Sequence, residues 1–401
     1  MLARSGVHDL AAHSPANPSH LLFLYLGRRG LGRFTLELAR TVAELPHVRA
    51  TFCVSRQNEI FPAFADVGCR VLPVDTFDSV GGALTRGYRV RTLYRNVLGE
   101  LTRQRSTGVV TLMPHIWTPL VAPLIRRHGY RYLTVIHDAH PHPGDPTSLL
   151  NGWALRDAHH ADPVVTLSRS VADALVATGT VSRQRLVPLF HPDLGFPHAG
   201  VGTEGSDRTS PQQAVAWPFR LLFFGRILAY KGLPALVSAM EMLRAEGVPV
   251  ELGVFGDGQL GPLRPRLQAI GAEIENRWIA DHEVAGILAR YHAVALSHNE
   301  CSQSGVAAVA LGAGLPVIGS GVGGLGEQVR DGLTGVLARD GTPASLAAAV
   351  RRLAADRKLY ASIRTHIHRT RWERSMRRFA EHLVSLATDT VAVPRQEVRW
   401  V

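Results

Sequence analysis

From Ser19 onward, short apolar runs alternate with longer segments in which apolar residues recur every three or four positions. HLLFLYLG is a nearly unbroken apolar run, as expected of a strand covered on both faces. LGRFTLELARTVAEL follows and sets Leu31, Phe34, Leu38 and Val42 on one helical stripe. VRATFCVS, GCRVLPV, GVVTLMPH, YLTVIHD and PVVTLS are further runs of strand length, each bounded by a turn or followed by a helical segment. Strand–helix alternation of this kind predicts a parallel sheet with helices on both faces.

Near residue 193 the pattern lapses. LGFPHAGVGTEGSDRTSPQQAVAWP is rich in Gly, Ser and Pro and has no periodicity, which reads as a linker over 193–217. The alternation then restarts through FRLLFFGRI, LPALVSAMEMLRAEG, VELGVFGDG, AVALSHN, SGVAAVALGAG and LPVIGS. A last helical segment, roughly Thr370 to Leu386, puts Trp372, Met376, Phe379, Leu383 and Leu386 on one stripe. The expected organisation is a tail over 1–18, a first domain over 19–192, the linker, and a second domain over 218–369. A helix over 370–388 then crosses back to the first domain, and 389–401 form a tail. Two doubly wound, Rossmann-like α/β domains facing a cleft bind ligands at the carboxyl ends of their strands.

Composition narrows the class. Hydrophobic residues make up 46% of the 401, enough for a core in each half. No apolar run reaches the roughly 18 residues of a membrane span, and the first twenty residues lack the apolar segment of a signal peptide. A cytoplasmic protein is expected. Three widely spaced cysteines, Cys53, Cys69 and Cys301, argue against a disulfide framework and against a CxxC metal site. Residues 1–190 hold 21 Arg, no Lys and 13 acids, so most of the net charge of +11 lies there. Arg in place of Lys fits a GC-rich bacterial genome. Basic character attracts nucleic acid, anionic lipid or phosphorylated small molecules. No nucleic-acid signature accompanies it, and aromatics are not interleaved with the basic residues, so nucleic acid is not expected as a partner.

The second half carries the chemistry. In FFGRILAYKGL, Gly225 ends a strand, and Arg226 and Lys231 stand five residues apart before the next helix. Two cations beside a helix N-terminus suit a diphosphate, although two solvated loop charges would read the same. Between His298 and Glu327, HNECSQSGVAAVALGAGLPVIGSGVGGLGE holds eight glycines and only two acids. Ser302 or Ser304 is a natural N-cap for the helix that follows. The small residues Ser304, Gly305 and Val306 would leave amides at its start open to a ligand. The loop GVGGLGE repeats the theme with Gly321, Gly323, Gly324 and Gly326. Glycine-rich turns that simply pack strand to helix are the alternative.

GRILAYKGL, then VFGDG, then SHNECSQSGVAAVALGAGLPVIGSGVGGLGEQVRDGLTGVL together resemble the C-terminal domain of glycosyltransferase family 4, the retaining enzymes of GT-B fold, in a branch with SQSG in this loop. The resemblance is strong over 218–338 and looser elsewhere. It implies that Arg226 and Lys231 bind a donor diphosphate, with Gly225 beside them. It also implies that the amides of Gln303, Ser304, Gly305 and Val306 approach the donor, joined by Gly256, Gly258 and Gly324. The family often carries two glutamates eight residues apart. Glu300 matches the first within one residue, Cys301 being the nearer in register, while Ala308 and Val309 stand where the second would be. The ribose contact of that second acid is therefore missing or supplied elsewhere.

The first half is less explicit. GRRGLGR, with Gly27, Gly30 and Gly32, resembles the family's first glycine loop, which faces phosphates and acceptor; a tight turn with solvated arginines reads the same. His137, ending TVIHD, matches a family histidine beside the donor sugar. His137, His140 and His142 invite a metal reading, but Pro141 and Pro143 break any helix that would align them, and no D-x-D motif appears. No metal and no cofactor are expected beyond the nucleotide-sugar co-substrate. TRGYRVRTLYRNVLGELTRQR places Arg86, Arg89, Arg91, Arg95, Arg103 and Arg105 on a helix whose apolar stripe is Leu93, Val97 and Leu101. Such a face suits an anionic inner-membrane surface, and a solvated face explains it equally.

The resulting expectation is a metal-independent, retaining hexosyltransferase. It moves a sugar from a UDP- or GDP-sugar to a small-molecule or lipid-linked hydroxyl, with His137, Arg226, Lys231 and Glu300 at the reacting centre. A non-catalytic nucleotide-sugar-binding subunit and a GT-B epimerase are the rivals.

Overall fold

The computed structural model describes residues 18–28, 31–77, 82, 85–140, 148–196 and 218–388. Among them the first sheet comprises β1 (Ser19–Tyr25), β2 (Val48–Ser55), β3 (Arg70–Val74), β4 (Gly108–Thr111), β5 (Arg131–Ile136), β6 (Val164–Thr166) and β7 (Leu186–Pro188). Their spatial order is β3-β2-β1-β4-β5-β6-β7. The second sheet comprises β8 (Phe219–Phe224), β9 (Val250–Phe255), β10 (Glu273–Glu275), β11 (Ala293–Leu296), β12 (Val317–Gly319) and β13 (Gly335–Leu337), in the order β10-β9-β8-β11-β12-β13. The pairings are parallel throughout, as the strand–helix alternation requires. In each sheet the order reverses at one point, between β1 and β4 and between β8 and β11, and it is at the carboxyl ends beside such switch points that open α/β sheets bind ligands.

The two-residue period of a strand divides the first domain's core. Leu21, Phe23 and Tyr25 of β1 face one apolar cluster, and Leu22, Leu24 and Leu26 face another. The second cluster lies under helices Arg89–Arg103 and Thr118–Arg127, through Leu93, Val97, Leu101, Val121 and Ile125. The first lies under helix Gly32–Ala43, whose buried stripe includes Phe34, Leu38 and Val42. That cluster continues through Leu189, Phe190 and Leu194 into the second domain, so the two domains share one core along their junction.

Helix Met376–Thr388 closes the same face. It packs on helix Gly32–Ala43 and on β1, β4 and β5, with Phe379 and Leu383 fully buried. Phe34 meets the Phe379 ring edge-on at 5.5 Å between centroids. Burying one such side chain stabilises by roughly 2–3 kcal/mol. Trp372 is not on this stripe: a turn at Arg371–Arg374 and an extended Ser375 separate it from the helix, and it is 61% exposed. Periodicity ran through a break that it could not register.

The residues read as the start of the linker are packed. Asp193 pairs with Arg374 at 3.1 Å and donates its amide to the Arg374 carbonyl at 2.8 Å. The Leu194 amide bonds to Ala308 O at 3.1 Å, and a Cβ on Gly312 would stand 2.3 Å from Leu194 O. The chain is thus pinned to helix Gly305–Gly312, and 197–217 lie outside the described residues. β7, β10 and β13 have three residues each, too few to show a period.

Candidate functional site

The crevice of the second domain opens where β8 and β11 end. Gly225 turns the chain at φ +103°, a conformation that L side chains rarely adopt, and a Cβ there would press on Val306 Cγ2 at 3.3 Å. The loop from Arg226 to Gly232 is held against the end of β11. Ser297 Oγ donates to Lys231 O at 3.0 Å, the Asn299 amide donates to Tyr230 O at 2.8 Å, and a Cβ on Gly232 would stand 1.7 Å from Ser297 O. Lys231 is therefore fixed, partly buried, at the switch point of the sheet. Arg226 beside it is exposed, and among the described residues neither cation makes an ion pair. Burial lowers the Lys231 ammonium to about 8; the fields of Cys301 and Asp138 pull it up, and Arg226 presses it down.

Helix Gly305–Gly312 starts next to this loop, capped by Ser304 Oγ on the Ala307 amide at 3.2 Å. Its first two amides, Gly305 and Val306, have no intrahelical partner, and Gly305 is exposed with open space around its Cα. The Ser304 amide is not open as expected: Gln328 Oε1 already accepts from it at 2.6 Å. The Gln303 amide faces the buried Cys301 sulfur. Two of the four expected amides thus remain for a ligand.

Other expected contacts become supports. A Cβ on Gly256 would stand 1.9 Å from Gly225 O, and one on Gly258 2.4 Å from Ile227 O, so both glycines let the end of β9 pack on the Arg226 loop. Gly324 would place a Cβ 1.8 Å from Ser302 O; it packs the two glycine loops together. Gly27 and Gly32 are close to Met113, Tyr25, Ile60 and Asn58, and Asn58 Nδ2 donates to Gly27 O at 3.1 Å. Gly30 lies outside the described residues. Glu300 is exposed on the loop after β11.

His137 comes from across the cleft, at the end of β5, and is buried. Its Nε2 is 2.9 Å from Leu112 O, which can only accept, so Nε2 carries the ring proton. Nδ1 then accepts from Gln303 Nε2 at 2.9 Å, an interaction between domains. Burial lowers the imidazole to about 4, so it is neutral near pH 7 and acts as a hydrogen-bonding group. Gln303 Oε1 is buried without a hydrogen-bond partner among the described residues.

Sequence reasoning missed several residues that shape this site. Ser168 Oγ donates to Ser302 O at 2.9 Å, and Glu327 accepts from two amides of the first domain. His191, also buried, meets the Phe34 ring. None carries a local pattern, because each acts on a partner far away in the linear sequence. No group of three metal-binding side chains occurs among the described residues; His140 is among these and His142 is not.

Comparison with known proteins places this geometry in context. Residues 218–356 match the family described as glycosyl transferases group 1. A D-inositol 3-phosphate glycosyltransferase of Geodermatophilus obscurus is 33% identical over 193 residues, 44% of this chain and 43% of that protein. A glycogen synthase of Mycobacterium tuberculosis is 30% identical over 271 residues, 63% of this chain and 62% of that protein. The chain thus aligns with less than two thirds of either relative's length. Among solved structures, the Anabaena protein HepE in complex with UDP and glucose superposes with a TM-score of 0.68 at 16% identity, covering 92% of this chain and 99% of that one. The likeness runs through both domains, and the architecture is the GT-B fold.

Proposed function

We propose that the protein is a glycosyltransferase of the family 4 type that transfers a sugar from a nucleotide-sugar to an acceptor hydroxyl with retention. The observation that carries this reading is Lys231, a fixed, partly buried cation with no ion-pair partner among the described residues, beside Arg226 and the open amides of Gly305 and Val306. A buried ammonium without a counter-ion is unfavourable unless a ligand supplies one. A diphosphate does, and its two phosphates can span the cations and the helix start. The group 1 match over this domain and the UDP and glucose bound to HepE support the choice of a nucleotide-sugar.

On this reading the donor's C1–O bond breaks, its electron pair leaves on the diphosphate, and the acceptor hydroxyl bonds to C1 while passing its proton to the departing phosphate oxygen. Arg226, Lys231 and the two amides stabilise charge where it develops, more in the transition state than before it. His137, neutral and with both ring nitrogens engaged, acts on the sugar through Gln303, which it holds across the cleft, and Glu300 reaches the sugar from the loop after β11. The acceptor enters from the first domain beside Gly27–Gly32. The exposed Arg91 and Arg95 suit an anionic or lipid-linked acceptor at a membrane surface, although the buried Glu100 neutralises part of that basic face through Arg70 and Arg103.

Calorimetric titration with UDP, GDP, ADP and dTDP tests the reading, with wild type and Lys231→Ala in parallel. One nucleotide should bind preferentially, and the variant should lose about tenfold or more in affinity, since hydrogen bonds to charged groups are the strong ones. Equal affinity in the variant, or no binding to wild type, overturns it.

A further inference from the structure

One of the contacts between the two domains is made by a short helix of the second. Leu325–Gln328 follows the glycine loop GVGG, and the carboxylate of Glu327 leaves its own domain. Its Oε2 accepts from the Arg169 amide at 2.7 Å and its Oε1 from the Ser170 amide at 2.7 Å. Those amides open helix Arg169–Ala177 of the first domain, where no backbone acceptor can reach them. The third amide, Val171, is taken by Ser168 Oγ at 3.2 Å, and the same hydroxyl donates across the cleft to Ser302 O. The start of this helix is therefore satisfied largely by residues that meet only when the domains are together.

The neighbouring side chain faces the donor loop. Gln328 Oε1 accepts from the Ser304 amide at 2.6 Å and Gln328 Nε2 donates to Ser304 O at 3.2 Å, so the residue that caps helix Gly305–Gly312 is clamped from both sides. Two successive side chains of one four-residue helix thus hold the opposite domain and the anion-facing loop.

We propose that Glu327 is a positioning residue that latches the cleft shut and, through Gln328, links closure to the placement of the Gly305 and Val306 amides. Its effect on transfer rests on the glycosyltransferase reading; the latch does not. A carboxylate at a helix N-terminus is held by charge-assisted hydrogen bonds and by the dipole of the helix. Opening returns the carboxylate and both amides to water, which solvates them well, so the net preference is modest and the latch reversible. Closure orders the site and keeps water from the reacting carbon.

The test uses the full chain as wild type, Glu327→Gln and Glu327→Ala. Small-angle scattering, with and without the nucleotide that binds best, should give a larger radius of gyration for Glu327→Ala, with Glu327→Gln between. Nucleotide affinity should change less than about threefold, since the cations stay in place, whereas kcat/KM for transfer should fall on the order of tenfold to a hundredfold. The ratio of donor hydrolysis to transfer should rise, which a merely structural loss would not produce. Unchanged scattering together with an unchanged hydrolysis ratio in a well-folded Glu327→Ala overturns the latch. Should the Ala variant melt early, Glu327→Gln, which keeps shape and one acceptor, decides by the same measurements. If wild type binds no nucleotide, the donor reading fails while scattering of the unliganded proteins still decides the latch.

Discussion

Lys231 gives the site its expected pH dependence. In the folded protein burial pushes its ammonium down from the usual 10.5 to about 8, because the charge is disfavoured away from water. A diphosphate binds the charged form, so nucleotide affinity should be level below about pH 7.5 and fall by up to about tenfold per pH unit above 8, one proton being linked to binding. Titrations at pH 7, 8 and 9 check this, and Lys231→Arg, if it binds, should show no such fall because Arg keeps its charge. Stability responds in the opposite sense. Between pH 8 and 10.5 the unfolded chain holds this proton and the folded one does not, so the group's contribution to stability rises with pH over that window. The identity of Lys231 as a candidate was legible in AYKGL. That no acid among the described residues forms an ion pair with it was not, because which side chains come within reach depends on how all the surrounding loops pack.

The glycine loops show what an element hides. Gly305 and Gly324 look alike in the sequence, each among small residues after a strand. In the fold, a Cβ on Gly305 meets open space, whereas one on Gly324 meets a backbone carbonyl at 1.8 Å. Gly305→Leu should fold with near wild-type melting behaviour and lose nucleotide binding, because its side chain enters the cleft. Gly324→Ala should destabilise by roughly 1–3 kcal/mol, as overpacking against backbone does. Paired thermal melts and titrations distinguish these outcomes. Equal destabilisation of both would mean the cleft is not where Gly305 points. The long helices and most strands were legible because burial on one or both faces imposes a period on the text. Strands β7, β10 and β13 and the break before Met376 were not, since pairing and backbone geometry, not periodicity, define them.

At the scale of the whole molecule, the junction is built from parts distant in sequence. Arg374 holds Asp193 across 181 positions, and the helix that follows covers the first domain's core with Phe379 and Leu383. Arg374→Ala leaves a partly buried carboxylate unpaired and should destabilise by about 3 kcal/mol. A denaturant midpoint within experimental scatter of wild type would show that this pair does not hold the junction. No helix among the described residues is long and apolar enough to cross a membrane. By itself, the amino-acid sequence determined the two parallel sheets, the loops at their carboxyl ends and the cations in them. Those features follow from local burial patterns and from the turn chemistry of neighbouring residues. Only the tertiary structure decided which amides stay open, that His137 meets Gln303, and that Glu327 reaches Arg169 and Ser170. The last two join segments more than a hundred residues apart, which only the packing of both domains brings within hydrogen-bond reach. The first is settled by Gln328, 24 positions from Ser304, where two loops of the second domain pack together.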